Sequence, residues 1–279
     1  MGNIAETPFS NNIYRGHIDN SDDAIKIFEL IKDLNVNNLK GELLQRDVKF
    51  TVLKEKKKRL YLAVEYGGKY YHIKIHNFVR EPKLNKIIGN ILSDSQAKRS
   101  WEKGRRFIDL GLPTPGPLGY LEERRLGLLL SSILITEYLP DVVTLRNRYT
   151  LLPDSIDRRS LIIELAKFVA MLHNKKVVHG DLKASNVLVK NDKTGNVSFC
   201  ITDLASVEFK KGLTIDEMAS DIACLDTSFG SELPPRERLR FLSHYCRKIE
   251  GRAVDIRVLL EAVQGHSMKR LKKREGVFK

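Results

Sequence analysis

The segment Val178-His179-Gly180-Asp181-Leu182-Lys183-Ala184-Ser185-Asn186-Val187-Leu188-Val189, followed by Ile201-Thr202-Asp203-Leu204-Ala205, constrains this chain more than any other. Its polar residues lie between short β-branched apolar runs, Val177-Val178 before them and Val187-Leu188-Val189 after them, as in small buried strands. Phe199-Cys200-Ile201 is a third such run and brings Asp203 to a strand end. Between the second and third runs, Asn191 to Asn196 has the composition of a hairpin turn. Upstream, residues 158–174 carry Leu161, Leu165, Phe168, Val169 and Leu172 on one helical face, so a long helix feeds directly into the polar loop. A helix, a tight loop and a hairpin thus carry Asp181, Lys183, Asn186 and Asp203.

Those four side chains are the set that phosphoryl transfer from ATP needs. One Asp orients the attacking hydroxyl and takes its proton, an Asn and a second Asp hold magnesium on the phosphates, and a Lys offsets charge on the transferred group. Five positions separate Asp181 from Asn186, which resembles the H-R-D-x-x-x-x-N loop of protein kinases. Two departures narrow the resemblance. Gly180 stands where regulated protein kinases carry an Arg that pairs with a phosphorylated activation loop, so that type of switching is not expected. Asp203-Leu204-Ala205 replaces D-F-G, keeping the metal-binding carboxylate and dropping the Phe-Gly toggle. The H-G-D form is similar to small-molecule kinases and a few small atypical protein kinases.

A chain of 279 residues accommodates one bilobal unit of this kind and little more. Cys200, Cys224 and Cys246 are dispersed and odd in number, which fits a reducing cytoplasm and argues against zinc. The N-terminus lacks a basic-then-apolar signal, and the longest apolar stretch, Leu126 to Ile135, is too short to span a bilayer. Lys plus Arg exceed Asp plus Glu by 13, with basic runs at Lys54 to Arg59 and Met268 to Arg274. A charge of that size favours anionic partners. Neither run is interleaved with aromatic residues, so nucleic acid is not expected.

The rest of the chain reads as two lobes, 1–140 and 141–279. Residues 21–34 read as a short helix with Ile27, Phe28, Ile31 and Leu34 on one face. Residues 48–53, 60–66 and 70–75 read as antiparallel strands, with Gly67-Gly68 as the last turn. Lys74 alternates within the third strand, ahead of a helix, where a kinase places its phosphate-binding lysine. No G-x-G-x-x-G loop is present. The turn expected over the phosphates, Lys54 to Arg59, offers basic side chains instead. Residues 95–110 read as a helix around Trp101 that ends at Gly111. Glu102 is the acidic residue in its middle and the candidate partner of Lys74, although Ser100 stands where related chains usually place that Glu. Leu128 to Tyr138 reads as a strand pair or one long strand leading into a hinge at residues 135–140, where the backbone of Glu137 and Leu139 meets adenine.

Further segments sharpen the resemblance. Ser100-Trp101, Gly111-Leu112-Pro113-Thr114-Pro115, Glu122-Glu123-Arg124-Arg125, Leu134-Ile135-Thr136-Glu137, Asp221-Ile222-Ala223-Cys224-Leu225 and Arg238 to Tyr245 together resemble the lipopolysaccharide core kinases, the Kdo/heptose kinase family. The resemblance covers about 60–260. It implies an α+β, bilobal protein-kinase-like fold with a small antiparallel-sheet N-lobe and a mainly helical C-lobe. It implies transfer of the ATP γ-phosphate to a sugar hydroxyl of the lipopolysaccharide inner core, on the cytoplasmic face of the inner membrane. The acceptor would be an anionic glycolipid, which the basic charge suits. By motif match Asp181 is the base or orienting group, Lys183 faces the transferred phosphoryl, Asn186 and Asp203 bind Mg2+, and Lys74 binds phosphate. Asp221 would brace the catalytic-loop backbone, and His179 would be a core and backbone anchor. A small atypical protein kinase or ATPase, and a kinase-like binding protein without catalysis, stay open. An aminoglycoside- or choline-type kinase is disfavoured by the basic balance.

Overall fold

The computed structural model describes residues 6–11, 13–78, 94–152, 156–191, 197–251 and 253–276. The chain divides into two compact units, Met1–Pro140 and Asp141–Lys279.

The first unit is built on a seven-stranded antiparallel sheet. Its strands in chain order are β1 (Glu6–Ser10), β2 (Tyr14–Asp19), β3 (Phe50–Lys56), β4 (Arg59–Tyr66), β5 (Lys69–Asn77), β6 (Pro117–Arg125) and β7 (Leu128–Glu137). The spatial order is β1-β2-β6-β7-β5-β4-β3. Helix α1 (Asp22–Ile31) starts where the Ser21 side chain accepts the Ala24 N–H, and Asp22 and Asp23 in its first turn favour the positive end of the helix dipole. Its buried residues Ala24, Ile27, Phe28 and Ile31 recur at three- and four-residue spacing and pack on one face of the sheet. With α2 (Leu39–Gln45) they enclose a core that includes Leu62, Ile73, Ile75, Leu121, Ile133 and Ile135. Helix and sheet approach so closely that a Cβ on Gly119 would lie 2.5 Å from the Phe28 ring. Strand side chains alternate in facing, so Lys74, Leu134 and Tyr120, which pair across β5, β7 and β6, point to the other side. There Ala97 and Trp101 of helix α3 (Gln96–Asp109) pack on Tyr120 and Leu134.

Three of these strands were not expected. β1 and β2 carry Pro8 and Gly16, and β6 opens at Pro117, passes through Gly119 and ends in the run Glu122 to Arg125. Such residues break the period-2 apolar signal, and these strands exist because neighbouring strands supply their pairing. The basic turn is also shorter than expected. β3 runs on to Lys56, with a register shift between Val52 and Lys54, and Lys56 pairs with Arg59, which leaves only Lys57 and Lys58 in the turn. Lys54 and Arg59 are strand residues.

The second unit is mainly helical, with α4 (Leu145–Leu151), α5 (Ile156–Asn174), α6 (Ile215–Phe229), α7 (Pro235–Lys248) and α8 (Ile256–Arg274). α5 packs on α7, and α6 on α8. Leu161, Leu165, Phe168, Val169 and Leu172 of α5 are all buried. The short strands are β8 (Val143–Thr144), β9 (Val177–Val178), β10 (Val187–Asn191), β11 (Val197–Ile201) and β12 (Glu208–Phe209). β10 and β11 form an antiparallel hairpin, β8 pairs with β10, and β9 pairs with β12. α6 begins with a reciprocal cap between Thr214 and Glu217. The basic run Met268 to Arg274 is the end of α8, and Arg274 donates to the Thr227 carbonyl of α6 at 3.0 Å. Among the described residues no helix is long and apolar enough to cross a membrane.

Candidate active site

In the second unit the loop between β9 and β10 is held tightly by its own backbone. The Lys183 N–H donates to the Asp181 carbonyl at 2.8 Å, the Asn186 N–H to the Lys183 carbonyl at 2.8 Å, and the Asn186 amide nitrogen to the Asp181 carbonyl at 2.9 Å. These bonds fold residues 181–186 into a compact turn that places Asp181, Lys183 and Asn186 together. The Lys183 ammonium lies 2.8 Å from Asp181 Oδ2. The hairpin brings in Asp203. Val187 pairs with Ile201, and one step earlier the Thr202 N–H donates to the Asn186 carbonyl at 2.9 Å, so Asp203 follows directly beside Asn186. Asp203 has φ +65°, a left-handed conformation that Asp tolerates better than most residues, and it leads into a short 3-10 turn at Leu204–Ser206.

His179 ties the loop to the hairpin. The Asp181 N–H donates to its Nδ1 at 3.2 Å, so Nε2 carries the ring proton and donates to the Thr202 carbonyl at 3.1 Å. The backbone next to His179 has room only for a glycine at position 180. Its φ is +75°, and a Cβ there would meet the Ser206 carbonyl oxygen at 2.9 Å.

Beneath the loop, the buried Asp221 of α6 accepts the His179 N–H at 2.6 Å on Oδ2 and the Gly180 N–H at 2.8 Å on Oδ1. His173 Nε2 lies 3.5 Å from the same carboxylate, and its Nδ1 lies 2.6 Å from the Tyr245 hydroxyl. Burial pushes the Asp221 carboxyl up, but His173 and the His179 backbone outweigh it and hold the group below the usual range. Two further α6 side chains reach the loop. The Cys224 thiol donates to Asp181 Oδ1 at 3.8 Å, and Ser228 Oγ accepts the Ala184 N–H at 2.8 Å. Nothing in their sequence spacing marks these two, beyond an ordinary helical repeat after Asp221.

The first unit holds the other expected residues. Lys74 on β5 pairs with Tyr61 on β4, which pairs with Lys54 on β3, so the three form one cross-strand row. The Lys74 and Lys54 ammonium groups lie 5.7 and 5.3 Å from the Tyr61 ring centroid. On the same face, His72 is pushed down to about 3 by burial and by Lys74. Glu137 ends β7, where its N–H donates to the Gly116 carbonyl and its carboxylate accepts the Gly116 N–H at 3.1 Å. Leu139 follows, half-buried.

Among the described residues no ion pair joins Glu102 to Lys74. The buried stripe of α3 is Ala97, Ser100, Trp101, Gly104 and Phe107, and Glu102 falls outside it, exposed, 3.9 Å from Lys98. The buried carboxylate near α3 is Glu122 of β6, which accepts the Ser95 N–H at 3.0 Å and pairs with Arg124 at 2.8 Å. Burial raises its pKa, but Arg124 and Ser95 hold it below the ordinary range. Glu122 anchors the start of α3, a role its charged neighbourhood in the sequence did not suggest.

Among the described residues no group of three or more His, Cys, Asp or Glu side chains could hold a metal ion alone. Mg2+ does not require one, because it binds through one or two protein oxygens with substrate phosphates and water. Asn186 and Asp203, adjacent at the hairpin mouth, fit that arrangement.

The model of the lipopolysaccharide kinase (Kdo/WaaP) family matches residues 45–245. A search of the curated proteins finds no match. Among solved structures, WaaP in complex with acyl carrier protein is 22% identical, with a TM-score of 0.56, covering 84% of this chain and 91% of that one. The Rio2 kinase of Chaetomium thermophilum, in its ADP/Mg2+-phosphoaspartate complex, is 15% identical with a TM-score of 0.52, covering 97% and 82%. These likenesses show the fold, an α+β protein-kinase-like one. The chain belongs to the lipopolysaccharide kinase (Kdo/WaaP) family and is a phosphotransferase.

Proposed function

We propose that this protein transfers the γ-phosphate of ATP to a Kdo or heptose hydroxyl of the lipopolysaccharide inner core. The observation that carries the reading is the joining of Asp181, Lys183 and Asn186 on one backbone-locked loop, with Asp203 beside it, in a chain of this family.

In this reading the acceptor hydroxyl oxygen forms a bond to the γ-phosphorus, the bond to the β–γ bridging oxygen breaks, and ADP leaves. The Asp181 carboxylate orients the hydroxyl and takes its proton. Lys183, held at Asp181 Oδ2, offsets charge on the transferred group. Asn186 and Asp203 would hold Mg2+, which when bound supplies charge neutralisation at the phosphates. Lys74 contacts phosphate, and Lys54, in the same row, adds charge where glycine-loop amides act in other kinases. Since the Glu137 N–H donates to Gly116, adenine meets the Glu137 carbonyl and the Leu139 amide. Glu102 has no part in this scheme. The boundary at Pro140–Asp141 would separate the nucleotide-binding sheet from the helical lobe.

The excess of 13 basic residues suits an anionic acceptor in an anionic leaflet and peripheral attachment to the cytoplasmic face of the inner membrane. WaaP was solved with acyl carrier protein, and we extend that partner to this chain. In support, the helical unit contains an apolar cavity of about 530 Å³ lined by Ile162, Leu165, Ile222, Phe241 and Val263 among others, with Met268 and Leu271 beside the basic end of α8. An acyl group is the chemistry such a lining accepts.

The test is transfer of labelled phosphate from Mg-ATP to a dephosphorylated lipopolysaccharide core and to a generic protein mixture. Label in the glycolipid supports the reading. Label confined to protein would replace it with an atypical protein kinase.

A further inference from the structure

Asp221, Cys224 and Ser228 are spaced i, i+3 and i+7 on α6, which places them within an arc of about 60° on one helix face. All three reach the same loop, in order. Asp221 takes the N–H groups of His179 and Gly180, Cys224 meets the Asp181 carboxylate, and Ser228 takes the Ala184 N–H while donating to the Leu225 carbonyl at 2.6 Å. The rise from Asp221 to Ser228 is about 10 Å, so one rigid helix face spans the loop from His179 to Ala184.

Cys224 is the member of this set that touches a reacting group. Lys183 engages Asp181 Oδ2 and the thiol engages Oδ1, so each carboxylate oxygen has its own fixed neighbour. A carboxylate held by Lys183 alone keeps freedom about χ2, because a flexible ammonium follows it through rotation. A thiol on a buried helix face does not follow. It is also a weak donor, so it orients the carboxylate without strongly reducing its ability to take a proton.

We propose that Cys224 is a positioning residue for the phosphoryl-transfer step, setting the rotamer of Asp181 through its thiol, with Ser228 setting the height of the loop at Ala184. Burial pushes the Cys224 thiol up to about 11, so it remains a neutral donor through the physiological range. Cys224 is fully buried, which removes reaction with solutes as a reason for a cysteine at this position. The inference rests on Asp181 acting as proposed above.

The experiment is steady-state transfer by the full chain, as wild type, Cys224→Ala, Cys224→Ser and Ser228→Ala, with unfolding midpoints measured in parallel. Cys224→Ala is expected to lower kcat about tenfold with KM for ATP unchanged, the size of effect that a small misplacement of a reacting group produces. Cys224→Ser keeps a donor in place and is expected to fall between the alanine variant and wild type. Combining Cys224→Ala with Asp181→Ala is expected to leave the residual rate of Asp181→Ala unchanged. A Cys224→Ala kcat within twofold of wild type overturns the proposal. So does a loss that serine does not relieve, or one that persists in the Asp181→Ala background. If the alanine variant does not fold, the serine variant against wild type decides. A wild type that transfers no phosphate overturns the functional reading, and this inference with it. An active wild type with unaffected Cys224 variants overturns this inference alone.

Discussion

Replacing Asp221 tests how far the fold of the second unit depends on a single carboxylate. In Asp221→Ala the buried N–H of His179 and the N–H of Gly180, an exposed residue, lose their acceptor, and His173 loses its carboxylate neighbour. An orphaned buried donor costs about 1–3 kcal/mol, so the His179 N–H alone gives a loss of that size, a large part of a typical domain's stability, while the Gly180 N–H regains water and adds less. Asp221→Asn retains one acceptor oxygen and turns an amide N–H2 toward the other donor, so it should lose about 1–3 kcal/mol. Urea titration followed by far-UV ellipticity is the suitable assay. The sole tryptophan, Trp101, lies in the first unit, and its fluorescence would report that unit instead. The Asp221 carboxyl is held below its ordinary range in the fold, so its stabilisation is fully present above about pH 3.9. It is lost as the pH falls through the lowered folded value. The stability gap between wild type and Asp221→Asn should therefore close only in strong acid. A loss under about 1 kcal/mol for Asp221→Ala at neutral pH, or a gap that closes near pH 6, would refute this account of the loop.

Gly180→Ala places a Cβ against the Ser206 carbonyl at a left-handed φ, and should cost about 1–3 kcal/mol in urea unfolding while lowering kcat. An unchanged midpoint would show that the loop relaxes freely. His72, pushed down to about 3, should remain neutral in the fold between pH 8 and 5, with ring proton resonances that do not move. Between about 6.5 and 3 the unfolded chain then binds a proton that the folded chain does not. Stability falls with pH across that window by up to about 1.4 kcal/mol per pH unit, and His72→Gln removes that slope. A ring titration near pH 6.5 would contradict the burial described for His72.

The elements that sequence reasoning located are those whose signals are local. Helix α1 carries its own start at Ser21 and its own apolar stripe, α5 repeats leucine and phenylalanine at helical spacing, and Gly67-Gly68 joins two alternating strands. The missed elements depend on partners. β6 reads as a charged run broken by glycine, and becomes a strand because β2 and β7 flank it and α3 needs Glu122 at its start. The same limit applies to the site. Asp181, Lys183 and Asn186 lie within six residues, and a local turn brings them together. Glu102 is the acidic residue in the middle of its helix, but the face of α3 that meets the sheet is set by Ala97 and Trp101. Cys224 and Ser228 act across 43 and 44 residues of chain, and only the packing of α6 beneath the loop reveals them.

The most direct test of the central claim compares wild type with Asp181→Ala in transfer of label from Mg-ATP to the dephosphorylated lipopolysaccharide core. The account predicts glycolipid labelling by wild type, and a loss of at least about 100-fold in kcat for Asp181→Ala with nucleotide binding retained, the range for removing a general base. Undiminished labelling by Asp181→Ala, or no labelling of the glycolipid by wild type, would contradict it.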